Sequence, residues 1–244
     1  MKLKLLIPNL ITAGNLFFGV CAIVIALQPF HYIGYAFYCI LLAALCDLLD
    51  GMVARLLNAR SEFGKQFDSL CDVVSFGVAP AIIAISIIQS YRPMTVDQLS
   101  TWLPVIPAIL FAVAAAARLA KFNIDTRQTK DFRGLPTPAA GLLLASVSLY
   151  WAELTGVSEA ALLINILALM LAAIMLLPLP LLSLKLHNTA SIVLAILLVL
   201  TAVPLFILFG WAAVSLVIFV YILASPVIRF LVRIFSNTGE NQPS

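Results

Sequence analysis

Residues 31–57 read HYIGYAFYCILLAALCDLLDGMVARLL. Two demands compete in this stretch. Its apolar run is long enough to cross a bilayer as a helix rising about 1.5 Å per residue. Asp47 and Asp50 then enter the same greasy segment, where a carboxylate at mid-membrane costs about 2.5–3.5 kcal/mol even on insertion scales. A helix reconciles the two. It satisfies its own backbone in lipid, and residues three apart share a face, so Asp47 and Asp50 present their carboxyls on one side.

The rest of the chain repeats the apolar demand. Of 244 residues, 63% are hydrophobic and 10% charged, against roughly 45–50% and 25% in soluble domains. Mean hydropathy is +1.11. This excludes a soluble globular enzyme, a disordered protein and a fibrous one. A net charge of +3 is too small to indicate a nucleic-acid partner. Cys21, Cys39, Cys46 and Cys71 lie in apolar runs without metal-ligand spacing and read as small packing residues. The apolar run 8–27, behind Lys2 and Lys4, is too long for a signal-peptide core and reads as an uncleaved helix.

Eight hydrophobic segments are read, at about 8–27, 31–57, 67–90, 101–121, 137–153, 159–178, 188–209 and 211–232. The predicted fold class is all-α, a polytopic membrane bundle of about eight transmembrane helices. One integral-membrane domain covers residues 1–233 and a polar tail covers 234–244. With the N-terminus in the cytoplasm, 13 of the 14 Lys and Arg fall inside, and only Arg92 falls outside. The positive-inside rule therefore places both termini in the cytoplasm.

A second acidic pair follows the first. Asp68 and Asp72 are four residues apart at the start of the third segment and also share a helix face. Segments two and three are antiparallel across a short cytoplasmic connection, so the two pairs meet at one depth. Four converging carboxylates suit hard divalent cations, Mg²⁺ or Mn²⁺, and two such ions suit phosphoryl transfer. Between the pairs, Gly51 and Gly64 permit close approach of a nucleotide or a helix, Ala54 keeps that face narrow, and Arg55 offers a fork of donors to phosphate. Taken singly, the glycines are helix packing, Arg55 is a snorkelling arginine, and an acidic pair is a proton relay or a transporter's cation site.

The joint spacing is Asp47-x2-Asp50-Gly51-x2-Ala54-Arg55-x8-Gly64-x3-Asp68-x3-Asp72. It resembles, at all eight positions, the signature of the CDP-alcohol phosphatidyltransferase family. The flanks Pro8–Gly19, Ser69–Pro80, Ala117–Asn123 and Phe132–Ala140 resemble its type II phosphatidylserine synthase branch, although Lys121 stands where Arg is usual. The resemblance implies transfer of a phosphatidyl group from CDP-diacylglycerol to L-serine, giving phosphatidylserine and CMP. It further implies Asp47, Asp50, Asp68 and Asp72 as metal ligands, with Asp72 also the base on the serine hydroxyl. It implies nucleotide contacts from Asp50, Gly51, Ala54, Arg55 and Gly64, membrane lipids as surroundings, and a homodimer. The expected location is a bacterial cytoplasmic membrane with the site facing the cytoplasm.

Arg118 sits in an apolar stretch and must meet something polar. With Lys121, Asn123 and Arg133 it is a candidate for the serine carboxylate or a substrate phosphate. Helix capping and headgroup contacts would use the same residues. The rival acceptors are glycerol 3-phosphate, an inositol phosphate and choline; the rival class is a cation-coupled transporter.

Overall fold

The computed structural model describes residues 2–59, 61–90, 102–124, 134–154, 157–177 and 212–220. Among these, every regular element is helical. The order is α1 (Lys2–Ala26), a 3₁₀ turn (Phe30–Tyr32), α2 (Ile33–Leu56), α3 (Glu62–Asp72), a π turn (Val73–Val78), α4 (Ala79–Ser90), a 3₁₀ turn (Leu103–Val105), α5 (Ile106–Ile124), α6 (Thr137–Leu154) and α7 (Val157–Leu176). A further helix, α8, covers 212–220.

Five helical stretches are long and apolar enough to cross a membrane: Lys4–Ala26, Phe30–Leu56, Glu62–Ser90, Leu103–Ile124 and Glu159–Leu176. They correspond to the first four expected segments and the sixth. The fifth, α6, buries Thr137, Ser146 and Ser148 and is not among the five. Its serines return their hydroxyls to their own helix, Ser146 to the Leu142 carbonyl at 2.7 Å and Ser148 to that of Leu144 at 2.6 Å, which satisfies them without water. The expected seventh segment, 188–209, lies outside the described residues, and of the eighth only α8 is described.

α1 packs along α2, α5 against α7, and α4 against α6. The connection between α2 and α3 is built by two caps. Asn58 adopts the left-handed region at φ 49°. Around it the Ala59 amide donates to the Ala54 carbonyl at 2.9 Å and the Asn58 amide to that of Arg55 at 3.2 Å. This is a Schellman closure, with asparagine in the place glycine usually takes. Two residues later the Ser61 hydroxyl accepts from the Gly64 amide at 3.0 Å and starts α3. The third segment therefore begins at Glu62, earlier than the hydrophobic boundary at 67, because the cap and not the apolar run sets the start.

The π turn has a local cause. Pro80 has no amide to offer the Phe76 carbonyl four residues back, and its ring crowds that carbonyl in a regular helix. The ladder widens, and the Ala79 amide bonds to Val74 instead. Neighbouring helices close in on the widened turn. A Cβ at Gly141 would collide with the Phe76 carbonyl and lie 3.0 Å from Phe76 Cα, and one at Gly19 would collide with Ser75. Small residues let backbones approach this closely in lipid, where packing and not hydrophobicity drives helix association.

Candidate active site

The capped hairpin brings the two acidic pairs together. Asp47, Asp50 and Asp68 each supply a carboxylate oxygen to a group lying within 4.8 Å of one another. Asp72 is not one of these three. It lies one turn beyond Asp68 and is buried, at 7% exposure, as is Asp50 at 5%.

α1 supplies donors to the cluster. The Thr12 hydroxyl donates to Asp50 Oδ2 at 2.5 Å, with the Pro8 carbonyl 3.0 Å away as its other acceptor. Asn15 Nδ2 donates to Asp72 Oδ1 at 3.1 Å. The Asn15 carbonyl accepts from the Ser75 hydroxyl at 3.0 Å, which ties α1 to the π turn. Sequence reasoning used this stretch of α1 only as a flank and assigned its side chains no role. The available signal was polar residues at helical spacing inside an apolar span, which in lipid must face a partner.

Three buried side-chain oxygens have no hydrogen-bond partner among the described residues: Asn165 Oδ1 on α7 and, at this site, Asp68 Oδ1 and Asn15 Oδ1. A buried carboxylate oxygen left without a donor is costly, and a cation would satisfy it. The all-oxygen donor set and the close approach of three carboxylates fit Mg²⁺ or Mn²⁺.

The remaining expected residues separate into groups. Gly51 is exposed, and a Cβ there would meet nothing within 4 Å, so this face of α2 is open to a ligand. Ala54 and Arg55 lend their carbonyls to the α2 cap. The Arg55 side chain is exposed in the last turn, where its charge also suits the helix dipole. Gly64 lies against α1, since a Cβ there would come 3.1 Å from both Asn9 Oδ1 and Ser61 Oγ.

Arg118 is buried and its Nη1 donates to Thr137 Oγ1 at 2.7 Å, which supplies the polar partner its setting demanded. Asn123 is engaged with α3: its Nδ2 donates to Ser69 Oγ at 2.9 Å and to Gln66 Oε1 at 3.3 Å, and its carbonyl accepts from Lys65 Nζ at 3.2 Å. These bonds clip the end of α5 to α3. Lys121 is exposed. Arg133 lies outside the described residues. Cys46 packs beside Gly14, where a Cβ would lie 3.3 Å from its sulfur.

The profile of the CDP-alcohol phosphatidyltransferase family matches residues 5–177, from α1 to the end of α7. The chain belongs to the CDP-alcohol phosphatidyltransferase family. With the five apolar helices, this membership makes it a multi-pass membrane protein, helical in every regular element among the described residues. Among its relatives, a CDP-diacylglycerol–serine O-phosphatidyltransferase of Bacillus subtilis is 37% identical over 142 residues, covering 58% of this chain and 75% of the relative. A protein of the same name from Helicobacter pylori is 38% identical over 141 residues, 57% of this chain and 55% of its own length. An archaetidylserine synthase of Methanothermobacter thermautotrophicus is 34% identical over 173 residues, 69% of this chain and 68% of the relative. The chain thus spans about three quarters of the first and about half of the second.

Proposed function

We propose that this phosphatidyltransferase moves the phosphatidyl group of CDP-diacylglycerol to L-serine, giving phosphatidylserine and CMP. The observation that carries the reading is the meeting of Asp47, Asp50 and Asp68 within 4.8 Å, with Asp72 one turn away and an open Gly51 face beside them. Serine is favoured as acceptor because the relatives' names, CDP-diacylglycerol–serine O-phosphatidyltransferase and archaetidylserine synthase, share it.

In this reading Asp47, Asp50 and Asp68 are the principal ligands of two Mg²⁺ or Mn²⁺ ions, and Asp72 adds a fourth carboxylate whose main task is that of base. When bound, the ions polarise the pyrophosphate and neutralise charge on the departing CMP. Gly51, Ala54 and Gly64 leave room for the nucleotide, Asp50 borders it, and Arg55 pairs with phosphate. Asp72 takes the proton of the serine hydroxyl as its oxygen bonds to the lipid-bearing phosphorus, and the bond from that phosphorus to CMP breaks with its electron pair leaving on CMP. Asn15 occupies Asp72 Oδ1, so Oδ2 is the oxygen assigned to the proton. Arg118, Lys121, Asn123 and Arg133 are assigned to the acceptor side. Eight spans, both termini in a bacterial cytoplasm, a catalytic domain over 1–233 and a homodimer complete the proposal.

Membranes carrying the protein are incubated with CDP-diacylglycerol and labelled serine, glycerol 3-phosphate, inositol phosphate or choline. Serine is expected to enter lipid with equal release of CMP. Chelation should abolish the reaction, and Mn²⁺ or Mg²⁺ should restore it. Incorporation of another acceptor instead would overturn serine, and chelator-resistant turnover would overturn the metal assignment.

A further inference from the structure

We propose that Thr12 and Asn15 are positioning residues, through which α1 clamps one carboxylate from each side of the α2–α3 hairpin. The inference rests on the reading of Asp50 and Asp72 given above. Thr12 and Asn15 are one helical step apart on α1, and they reach acids from different helices: Thr12 bonds Asp50 of α2, Asn15 bonds Asp72 of α3. Both donors are enclosed, Thr12 at 3% exposure and Asn15 at 0%, so no water competes for either bond.

The backbone of the clamp is itself fixed. The Ser75 hydroxyl holds the Asn15 carbonyl, and Gly19, one turn further on, lies too close to Ser75 for any side chain. α1 therefore cannot slide along the π turn without breaking both contacts. The two clamped acids differ in task, and so should the two donors. A hydrogen bond to one oxygen of Asp50 sets which lone pairs face the cation, a role in which outer partners affect metal affinity by about 10–100-fold. A hydrogen bond to Asp72 Oδ1 sets the rotamer of the group that receives the serine proton, which concerns turnover and not lipid binding.

Four variants in the full-length protein test this: Thr12→Val, Thr12→Ser, Asn15→Leu and Asn15→Ala. Thr12→Val keeps the shape and removes the hydroxyl. It is expected to raise the Mn²⁺ concentration needed for half-maximal CDP binding by roughly tenfold, and Thr12→Ser should bring it back. The Asn15 variants are expected to lower kcat by at least about tenfold while the KM for CDP-diacylglycerol stays within about twofold. Unchanged Mn²⁺ dependence in Thr12→Val, failure of Thr12→Ser to restore it, or a KM that moves with kcat in Asn15→Ala would overturn the clamp. Should Asn15→Leu not fold, Asn15→Ala carries the kinetic arm, and the Thr12 pair stands by itself. CDP binding needs no acceptor. If wild-type protein uses no serine, the proposed reaction fails while the Mn²⁺ titration of the Thr12 pair still decides the clamp.

Discussion

At the scale of single residues, two substitutions separate folding from chemistry. Asp72→Asn keeps the volume of the side chain and can still accept from Asn15. Turnover should fall by about 10²–10⁴-fold, the usual worth of a general base, while Mn²⁺-dependent CDP binding is retained. Near-normal CMP release from this variant would remove Asp72 from the role. Gly51→Ala runs the other way. Its new methyl meets nothing within 4 Å of the protein, and alanine favours a helix over glycine by about 1 kcal/mol. The thermal midpoint in detergent should hold or rise, yet CDP affinity should drop, because the methyl occupies the space given to the nucleotide; unaltered affinity would show that nothing approaches there. The acids and Gly51 were legible in the sequence because a charge inside an apolar helix has few explanations. Thr12 and Asn15 were not, since an apolar span can bury a hydroxyl against its own backbone, as Ser146 and Ser148 do, and spacing alone does not name the partner helix.

At the scale of elements, the site depends on one hairpin and one widened turn. Asn58→Gly should leave the α2–α3 closure intact, whereas Asn58→Val should cost about 1–2 kcal/mol, because a β-branched residue resists the left-handed region. Gly141→Ala should be more damaging than its size suggests. Its methyl is driven into the Phe76 backbone, which cannot rotate away as a side chain could, and overpacking of this kind costs about 1–3 kcal/mol. Gly34→Ala is the control, since a Cβ there meets nothing within 4 Å. Equal thermal midpoints for the two alanine variants would show that α6 does not lock the π turn. The acidic spacing announced the hairpin, and its short connection announced the shared depth. The π turn was hidden, because Pro80 disturbs the ladder four residues upstream and the compensation comes from Gly19 and Gly141, both distant in the chain. Asn123 shows the same limit: its bonds to Ser69, Gln66 and Lys65, which clip the end of α5 to α3, join stretches too far apart in the chain for spacing to announce them.

At the scale of the whole molecule, the proposed orientation rests on the distribution of Lys and Arg. Reporter fusions check it directly. A fluorescent protein joined after Ser244 should mature and alkaline phosphatase joined there should stay inactive, while phosphatase inserted at Arg92 should be active. Active phosphatase at Ser244 would break the expectation of an even number of spans. Composition was enough to place the chain in a membrane. It did not distinguish the helices that face lipid from α6, whose buried hydroxyls and close glycine belong to the interior.

The position of the clamp in the chain has a consequence for biosynthesis. Thr12 and Asn15 are made before any of the four aspartates, so the donors already stand in the membrane when Asp50 leaves the ribosome, and wait there for Asp72. Each of these acids, costly to insert alone, enters beside a helix ready to receive it. The order of synthesis thus matches the order in which the charges need neighbours.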